Sequence, residues 1–156
     1  MQKISSEYKK LLNDYLNKIK HSNKIRKSKV IGILLFGSLA KGKELPFPKS
    51  DIDLIVVCED LPKDFFKRAE YVRNIEKGFS IIQSIWMTPK EFLDHIKARA
   101  GYILDAIHDG IIIYDREGFM KRTIEEAKKE LRERGVKRID GCWIWPIKKA
   151  GDVIEL

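Results

Sequence analysis

The residues best suited to chemistry lie between positions 36 and 57, where a polar segment joins two apolar runs. Gly37 and Ser38 follow the first run, and Asp51 and Asp53 open the second. A Gly-Ser turn at the start of a short helical turn presents free backbone N–H groups to an anion, and the serine hydroxyl adds a donor. Carboxylates are the hard oxygen ligands that Mg²⁺ prefers. Together they predict chemistry on a nucleoside triphosphate.

The loop between these two elements is basic and contains glycine. Lys41 and Lys43 lie within reach of the same turn, so we expect them, with Gly37 and Ser38, to bind the nucleotide phosphates. The segment is not a Walker loop, because the glycine spacing and the Gly-Lys-Ser/Thr ending are absent.

The two carboxylates belong to a predicted strand over residues 51–58, and the Gly-Ser turn ends a predicted strand over 30–36. Strand alternation places Asp51 and Asp53 on the same face, with Ile55 and Val57. Two neighbouring carboxylates are costly unless they share a cation, so we expect both to bind metal and to be catalytic. If the two strands pair antiparallel, the turn and the carboxylates become neighbours.

The remaining pattern predicts an α/β chain. Helical periodicity and capping signals predict helices at 5–21, 63–76, 89–100, 102–108 and 117–134. The helix at 89–100 begins in the capping box Thr88-Pro89-Lys90-Glu91. Short apolar runs predict strands at 30–36, 51–58, 79–87 and 111–114. The last twenty residues predict an irregular tail packed by Trp143 and Trp145.

Composition indicates a soluble globular protein. The 156 residues are 44% hydrophobic and 35% charged, which suits a single domain over 1–156. No apolar stretch is long enough to span a bilayer, so we expect a cytoplasmic protein without membrane contact. Cys58 ends an apolar strand and is expected to be a buried free thiol. The net charge of +8 would suit a nucleic-acid partner, but the lysines are interleaved with glutamates.

The segment from Gly37 to Asp53 resembles the minimal nucleotidyltransferase (MNT) family of the DNA polymerase beta superfamily. That family is marked by Gly-Ser, about ten residues and then Asp-x-Asp. The pattern around 104–111 and the tail from Trp145 to Leu156 are also similar to small members of the family.

The resemblance implies a mixed sheet of about four strands flanked by helices, like the palm of that superfamily. It implies that Gly37 and Ser38 grip the triphosphate of ATP while Asp51 and Asp53 hold Mg²⁺. The family reaction is attack of an acceptor hydroxyl on the α-phosphorus, with pyrophosphate leaving. In small members the resemblance implies an antitoxin role, in which AMP is added to a HEPN-domain ribonuclease.

The sequence departs from the family pattern at two points. Twelve residues separate Ser38 from Asp51, so the stretch from Leu45 to Pro48 enlarges the loop. Active members also place a third carboxylate on the next strand, whereas here Gln83 or Ser84 stands at that position.

The missing acid keeps a rival hypothesis open, namely a protein without catalytic activity that binds a nucleotide or a partner. Two acids flank the third strand, Glu76 and Glu91, but both are interpreted as helix-surface residues. A third hypothesis, a nucleic-acid-binding domain, rests on the net charge alone.

Overall fold

The fold is a mixed four-stranded sheet between two layers of helices, and the computed structural model describes residues 4–22 and 29–146 of it. The helices are α1 (Ser6–His21), α2 (Gly37–Lys41), α3 (Phe65–Ile75), α4 (Pro89–Lys97), α5 (Gly101–Asp109) and α6 (Phe119–Glu133). The strands are β1 (Val30–Phe36), β2 (Ile52–Cys58), β3 (Ile82–Met87), β4 (Ile111–Asp115), β5 (Lys137–Ile139) and β6 (Cys142–Ile144).

The strand order is β3-β2-β1-β4, and β1 pairs antiparallel with both β2 and β4. β2 and β3 run parallel, in unbroken register from Ile52 opposite Ile82 to Val57 opposite Met87. The predicted α/β class and mixed sheet are therefore confirmed. β3 lies at one edge of the sheet, next to the strand that contains Asp53.

Two apolar clusters cover the two faces of the sheet. Ile52, Leu54 and Val56 pack in one cluster with α1 and α3. Ile55 and Val57 pack in the other with α4, α5 and α6. This division follows the alternation that the sequence predicts for β2, because successive strand side chains point to opposite faces.

The predicted elements recur with small shifts at their ends. Thr88 accepts a hydrogen bond from the backbone of Glu91 and Glu91 returns one, so the predicted capping box starts α4. β3 begins at Ile82, three residues later than predicted, because turns occupy the positions just before it. Part of the predicted loop at 21–29 lies outside the described residues.

The prediction of an irregular tail is wrong for residues 137–144, which form the hairpin β5–β6. Asp140 and Gly141 have φ values of +49° and +78°. A two-residue hairpin turn of this kind requires positive φ at both positions, and Asp-Gly is a preferred pair. The rest of the predicted tail, 147–156, lies outside the described residues.

Trp143, on β6, donates a hydrogen bond to Asp105 on α5 at 3.0 Å. This bond attaches the hairpin to α5.

Cys58 is a fully buried free thiol, as predicted, and burial raises the pKa of its thiol to about 11. None of the helices within 4–22 and 29–146 combines the length and the apolar character needed to cross a bilayer.

Candidate functional site

The antiparallel pairing of β1 and β2 brings the two halves of the sequence motif together. Phe36, the last residue of β1, lies opposite Asp53 near the start of β2. Gly37 and Ser38 begin α2 directly after Phe36. The predicted neighbourhood of the Gly-Ser turn and the carboxylates therefore exists, and one pair of adjacent strands is sufficient to build it.

Gly37 lies directly against the carboxylate of Asp53. Its φ is +74°, and a Cβ placed on it would stand 2.1 Å from Asp53 Oδ2. Both the backbone conformation and the lack of space disfavour a side chain here, because a Cβ would have to displace the carboxylate of Asp53. Glycine at position 37 therefore lets the first turn of α2 lie closer to the Asp53 carboxylate than any other residue would.

Asp51 and Asp53 differ in their surroundings. Asp51 is exposed and lies just before β2, whereas Asp53 is partly buried within the strand. Burial, and then the negative charge of Asp51, raise the pKa of Asp53 above its ordinary value. A bound cation would relieve both effects, because it neutralises the two carboxylates at once.

Within residues 4–22 and 29–146, three or more His, Cys, Asp or Glu side chains do not gather anywhere as a metal-binding cluster. The candidate metal donors are the two carboxylates Asp51 and Asp53. This suits Mg²⁺, which typically takes one or two protein carboxylates and completes its octahedral shell with substrate phosphates and water.

The parallel pairing of β3 with β2 identifies which residue stands where a third acid would be needed. Gln83 lies opposite Asp53 in register, so the two side chains share a face. Ser84 lies opposite Leu54 and is on the other face, where its hydroxyl donates to Glu76. Of the two residues that the sequence left open, only Gln83 faces the candidate site.

The two acids that flank β3 do not fill the gap. Glu76 Oε1 also accepts hydrogen bonds from Tyr15 at 2.7 Å and Trp86 at 3.1 Å. Glu91 accepts two hydrogen bonds from Arg68 and one from Thr88. Both acids are therefore engaged in hydrogen bonds, and the Glu91 side chain, 40% exposed, lies at the surface of α4 as the sequence predicted.

The two predicted phosphate-binding lysines have different environments. Lys41 ends α2, and its Nζ lies 3.9 Å from Asp109 Oδ2 on α5 in a loose ion pair. Lys43 is exposed one residue beyond Gly42, and its backbone N–H donates to Ser38 at 2.9 Å. Lys43 is therefore tied by its backbone to the Gly-Ser turn, while Lys41 is tied by its side chain to α5.

The enlarged loop is fastened by a residue that the sequence did not single out. The hydroxyl of Tyr8, on α1, donates to the carbonyl of Leu45 at 2.8 Å and accepts from the backbone N–H of Ser50 at 3.0 Å. Ser50 Oγ in turn accepts from the N–H of Leu45 at 2.7 Å. The Phe47 ring packs edge-on against Tyr8, with 5.1 Å between ring centroids.

Tyr8 matches the apolar stripe of α1, so periodicity indicates only that it is buried. Its hydroxyl contacts are long-range and give no local signal. The loop nevertheless ends one residue before Asp51, so this network helps to determine where that carboxylate stands.

Comparison with known proteins agrees with the geometry. The sequence profile described as "Polymerase beta, Nucleotidyltransferase" matches residues 17–118. A Methanocaldococcus jannaschii protein, MJ1305, is 31% identical over 123 residues, which are 76% of this chain and 79% of that protein. Its name assigns it provisionally to the protein adenylyltransferases.

The chain is also similar to solved structures, at lower identity. A nucleotidyltransferase-like protein from Sulfolobus solfataricus is 23% identical, with a TM-score of 0.47 over 69% of this chain and 80% of that chain. A chain from the complex of tri-AMPylated Shewanella oneidensis HEPN toxin with MNT antitoxin is 17% identical. Its TM-score is 0.46, over 81% of this chain and 92% of that chain.

The family assignment rests on the two sequence matches, and the match over residues 17–118 spans the Gly-Ser turn, β2 and β3. The chain belongs to the polymerase beta nucleotidyltransferase family.

Proposed function

We propose that this protein is a magnesium-dependent nucleotidyltransferase that transfers AMP from ATP to a hydroxyl group of another protein. The observation that supports the proposal most directly is the contact between Gly37 and Asp53 across the β1–β2 pair. It joins an anion-binding turn to a pair of carboxylates, which is the combination that a metal-bound triphosphate needs.

The turn residues and the carboxylates would have separate roles. Gly37 and Ser38 would bind phosphate oxygens through backbone N–H groups and the serine hydroxyl, with Lys43 supplying charge from the exposed side. Asp51 and Asp53 would hold Mg²⁺, which when bound stabilises the charge on the attacking and leaving oxygens. Lys41 can join the phosphates only by leaving its loose pair with Asp109.

In the transfer, the acceptor oxygen forms a bond to the α-phosphorus, and the bond from that phosphorus to the pyrophosphate oxygen breaks. The proton of the acceptor hydroxyl passes to Asp51, Asp53 or water, because the amide of Gln83 is not a base at neutral pH. Catalysis would therefore depend on positioning and charge more than on a dedicated base.

The name of the Methanocaldococcus relative supports AMP as the transferred group and a protein as the acceptor. The sequence resemblance implies a HEPN-domain ribonuclease as that acceptor, and hence an antitoxin role. A HEPN-type reading frame adjacent to this one would identify the acceptor to use. Neither the comparisons nor the site residues offer support for a nucleic-acid partner.

The test is transfer of radiolabelled AMP from ATP to a purified HEPN-domain protein, taken from a reading frame adjacent to this one where such a frame exists. We expect the double variant Asp51→Ala with Asp53→Ala to lose at least about 10³-fold in rate, because bound metal contributes several kcal/mol to such reactions. Glu125→Ala with Glu126→Ala removes equal charge from the exposed side of α6 and should label like the wild type. Equal labelling by the wild type and the Asp51→Ala, Asp53→Ala variant would refute the proposed transferase activity.

A second function is favoured by one observation, the neutral Gln83 beside Asp53. In that case the chain binds magnesium-ATP without turning it over. Pyrophosphate release decides between the two, measured with magnesium-ATP and the HEPN-domain protein together. Release that depends on metal and on Asp53 supports the transferase, whereas tight magnesium-ATP binding without release supports the binding protein.

A further inference from the structure

β3 is an edge strand of the sheet in the part of the chain that the structure describes. In the described parts of the chain, its inner side pairs with β2 and its outer side pairs with no strand. Proteins usually block such edges with lysines, prolines or bulges, because an open edge invites another strand. The β3 sequence Ile-Gln-Ser-Ile-Trp-Met contains no lysine or proline, and its register with β2 is unbroken. No bulge interrupts its pairing with β2.

A groove of about 870 Å³ follows this edge, between β3 and the outer side of α3. Its apolar lining includes Ala69, Val72 and Trp86. Two apolar side chains at its border are exposed, Phe65 at 77% and Ile85 at 37%. The combination of an open strand edge and an apolar groove suits an extended peptide, which pairs by its backbone and inserts alternate side chains.

The groove is basic at the end where β3 begins. Arg73 and Lys77 line it and are exposed. Lys18 Nζ donates to the carbonyl of Lys77 at 2.8 Å and lies 5.4 Å from the ring of Phe79. The acid in the lining, Glu76, is occupied by its hydrogen bonds to Tyr15, Ser84 and Trp86. An acidic segment is therefore the complementary occupant.

The basic end of the groove is also the end nearest to the candidate site. Gln83, the second residue of β3, lies beside Asp53. A strand added outside β3 would lie one strand spacing, about 4.8 Å, from Gln83 and two spacings, roughly 10 Å, from Asp53. Alternate side chains of that strand would stand on the same face of the sheet as Asp53.

We propose that this groove binds an extended acidic segment of the acceptor protein, which pairs with β3 as a fifth strand and presents the hydroxyl to be modified. The identity of the segment as part of the acceptor rests on the proposed nucleotidyl transfer. The binding of an extended acidic segment does not, so it can be tested without any catalysis.

The binding test uses a fluorescent peptide, Glu-Ser-Glu-Ser-Val-Ser-Val-Ser-Glu-Ser-Glu, followed by anisotropy. As a strand, this Glu-Val peptide places every Glu and every Val on the face that enters the groove. We expect saturable binding that weakens at least tenfold in the variant Arg73→Glu with Lys77→Glu. The control, Lys63→Glu with Lys67→Glu, makes the same change of charge at exposed positions outside the groove lining and should bind like the wild type. No saturable binding, or equal weakening in both variants, would overturn the proposal.

Amide hydrogen exchange locates the peptide. Protection of backbone amides within Ile82–Met87 on peptide addition supports strand pairing, whereas protection confined to other elements overturns it. The same peptide with Gly in place of each Val should bind much more weakly, and equal binding would show that charge alone is responsible. Protection of β3 by high concentrations of this chain alone would instead make a second copy the occupant.

The acceptor part is tested by competition. The Glu-Val peptide should raise the KM for the HEPN-domain protein in the AMP-transfer assay, and the groove variant should raise it at least tenfold with little change in the KM for ATP. If the groove binds the peptide but the KM for the HEPN-domain protein is unchanged, the groove does not bind the acceptor. Failure of the wild type to transfer AMP refutes the proposed function, while the peptide experiments still decide what the groove binds.

Discussion

At the scale of single residues, the candidate site depends on a glycine that has a carboxylate for a neighbour. The chain has two glycines with nearly the same positive φ around α2, Gly37 at +74° and Gly42 at +70°. A Cβ on Gly37 would meet Asp53, whereas a Cβ on Gly42 would meet nothing within 4 Å. The two positions therefore separate the cost of backbone strain from the effect of displacing Asp53.

We expect Gly37→Ala and Gly42→Ala each to destabilise the fold by roughly 1–2 kcal/mol, because an alanine in the left-handed region is strained. Only Gly37→Ala should also weaken magnesium-ATP binding by more than tenfold, because it must push Asp53 aside. Chemical denaturation and isothermal titration calorimetry measure the two effects. Similar loss of ATP binding in both variants would show that the Gly37–Asp53 contact is not the cause.

The neighbourhood of Gly37 and Asp53 could be predicted because it depends only on one antiparallel pair, whereas Asp51 lies just before β2, outside the strand predicted for it. The choice between Gln83 and Ser84 could not. A shift of one residue along a strand exchanges its faces, and the start of β3 differs from the predicted start by three residues. The register of a parallel neighbour is determined by the connecting helix and turns, which leave no local signal at Gln83.

At the scale of elements, α1 acts on the site through the loop that follows α2. Tyr8 makes two hydrogen bonds to the loop backbone, at Leu45 and Ser50, and the loop passes directly into Asp51. Ser50 is buried, so its backbone N–H needs this partner. These hydrogen bonds hold the enlarged loop against α1.

Replacing Tyr8 with Phe removes both hydrogen bonds and keeps the ring. We expect a loss of about 1–3 kcal/mol of stability, because the Ser50 N–H is left without its partner, and a KM for ATP raised several-fold because the loop before Asp51 loosens. Tyr102→Phe is the matched control, since it removes a 2.7 Å hydrogen bond to His95 on the α4–α5 side. A Tyr8 variant that loses stability but keeps the wild-type KM would limit Tyr8 to a structural role.

The elements themselves were predictable where periodicity or capping residues determine them, as in α1, β1 and α4. The long-range contacts between these elements could not be predicted from the sequence. The hairpin β5–β6 is an intermediate case, because Asp140-Gly141 is a recognisable turn signal between very short strands. Three-residue strands show too little alternation to be identified before that turn is considered.

At the scale of the whole molecule, ion pairs join the two helical layers that enclose the sheet. Arg68 on α3 donates to both carboxylate oxygens of Glu91 on α4, at 2.9 and 3.0 Å. α3 packs on one face of the sheet and α4 on the other, so this pair connects the layers. No local sequence pattern indicates this contact, because 23 residues separate Arg68 from Glu91.

This link makes stability depend on pH in a defined direction. Burial acts to raise the pKa of Glu91, but hydrogen bonds from Thr88 and Arg68 outweigh it and hold the pKa below its ordinary value. The stabilisation is therefore present above the unfolded-state pKa of about 4.3 and is lost as pH falls through the lower folded-state pKa. Glu91→Gln keeps a capping side chain and removes the charge, so it should cost about 1 kcal/mol at pH 7.

The difference between Glu91→Gln and wild type should shrink as pH falls below about 4, because wild-type Glu91 then becomes neutral as well. Urea denaturation across this range measures it. Glu126→Gln makes the same change at an exposed position of α6 and should differ little from wild type at any pH. If Glu91→Gln were equally destabilised at pH 3 and pH 7, its contribution would come from shape and capping, and the charge connecting the two layers would contribute nothing.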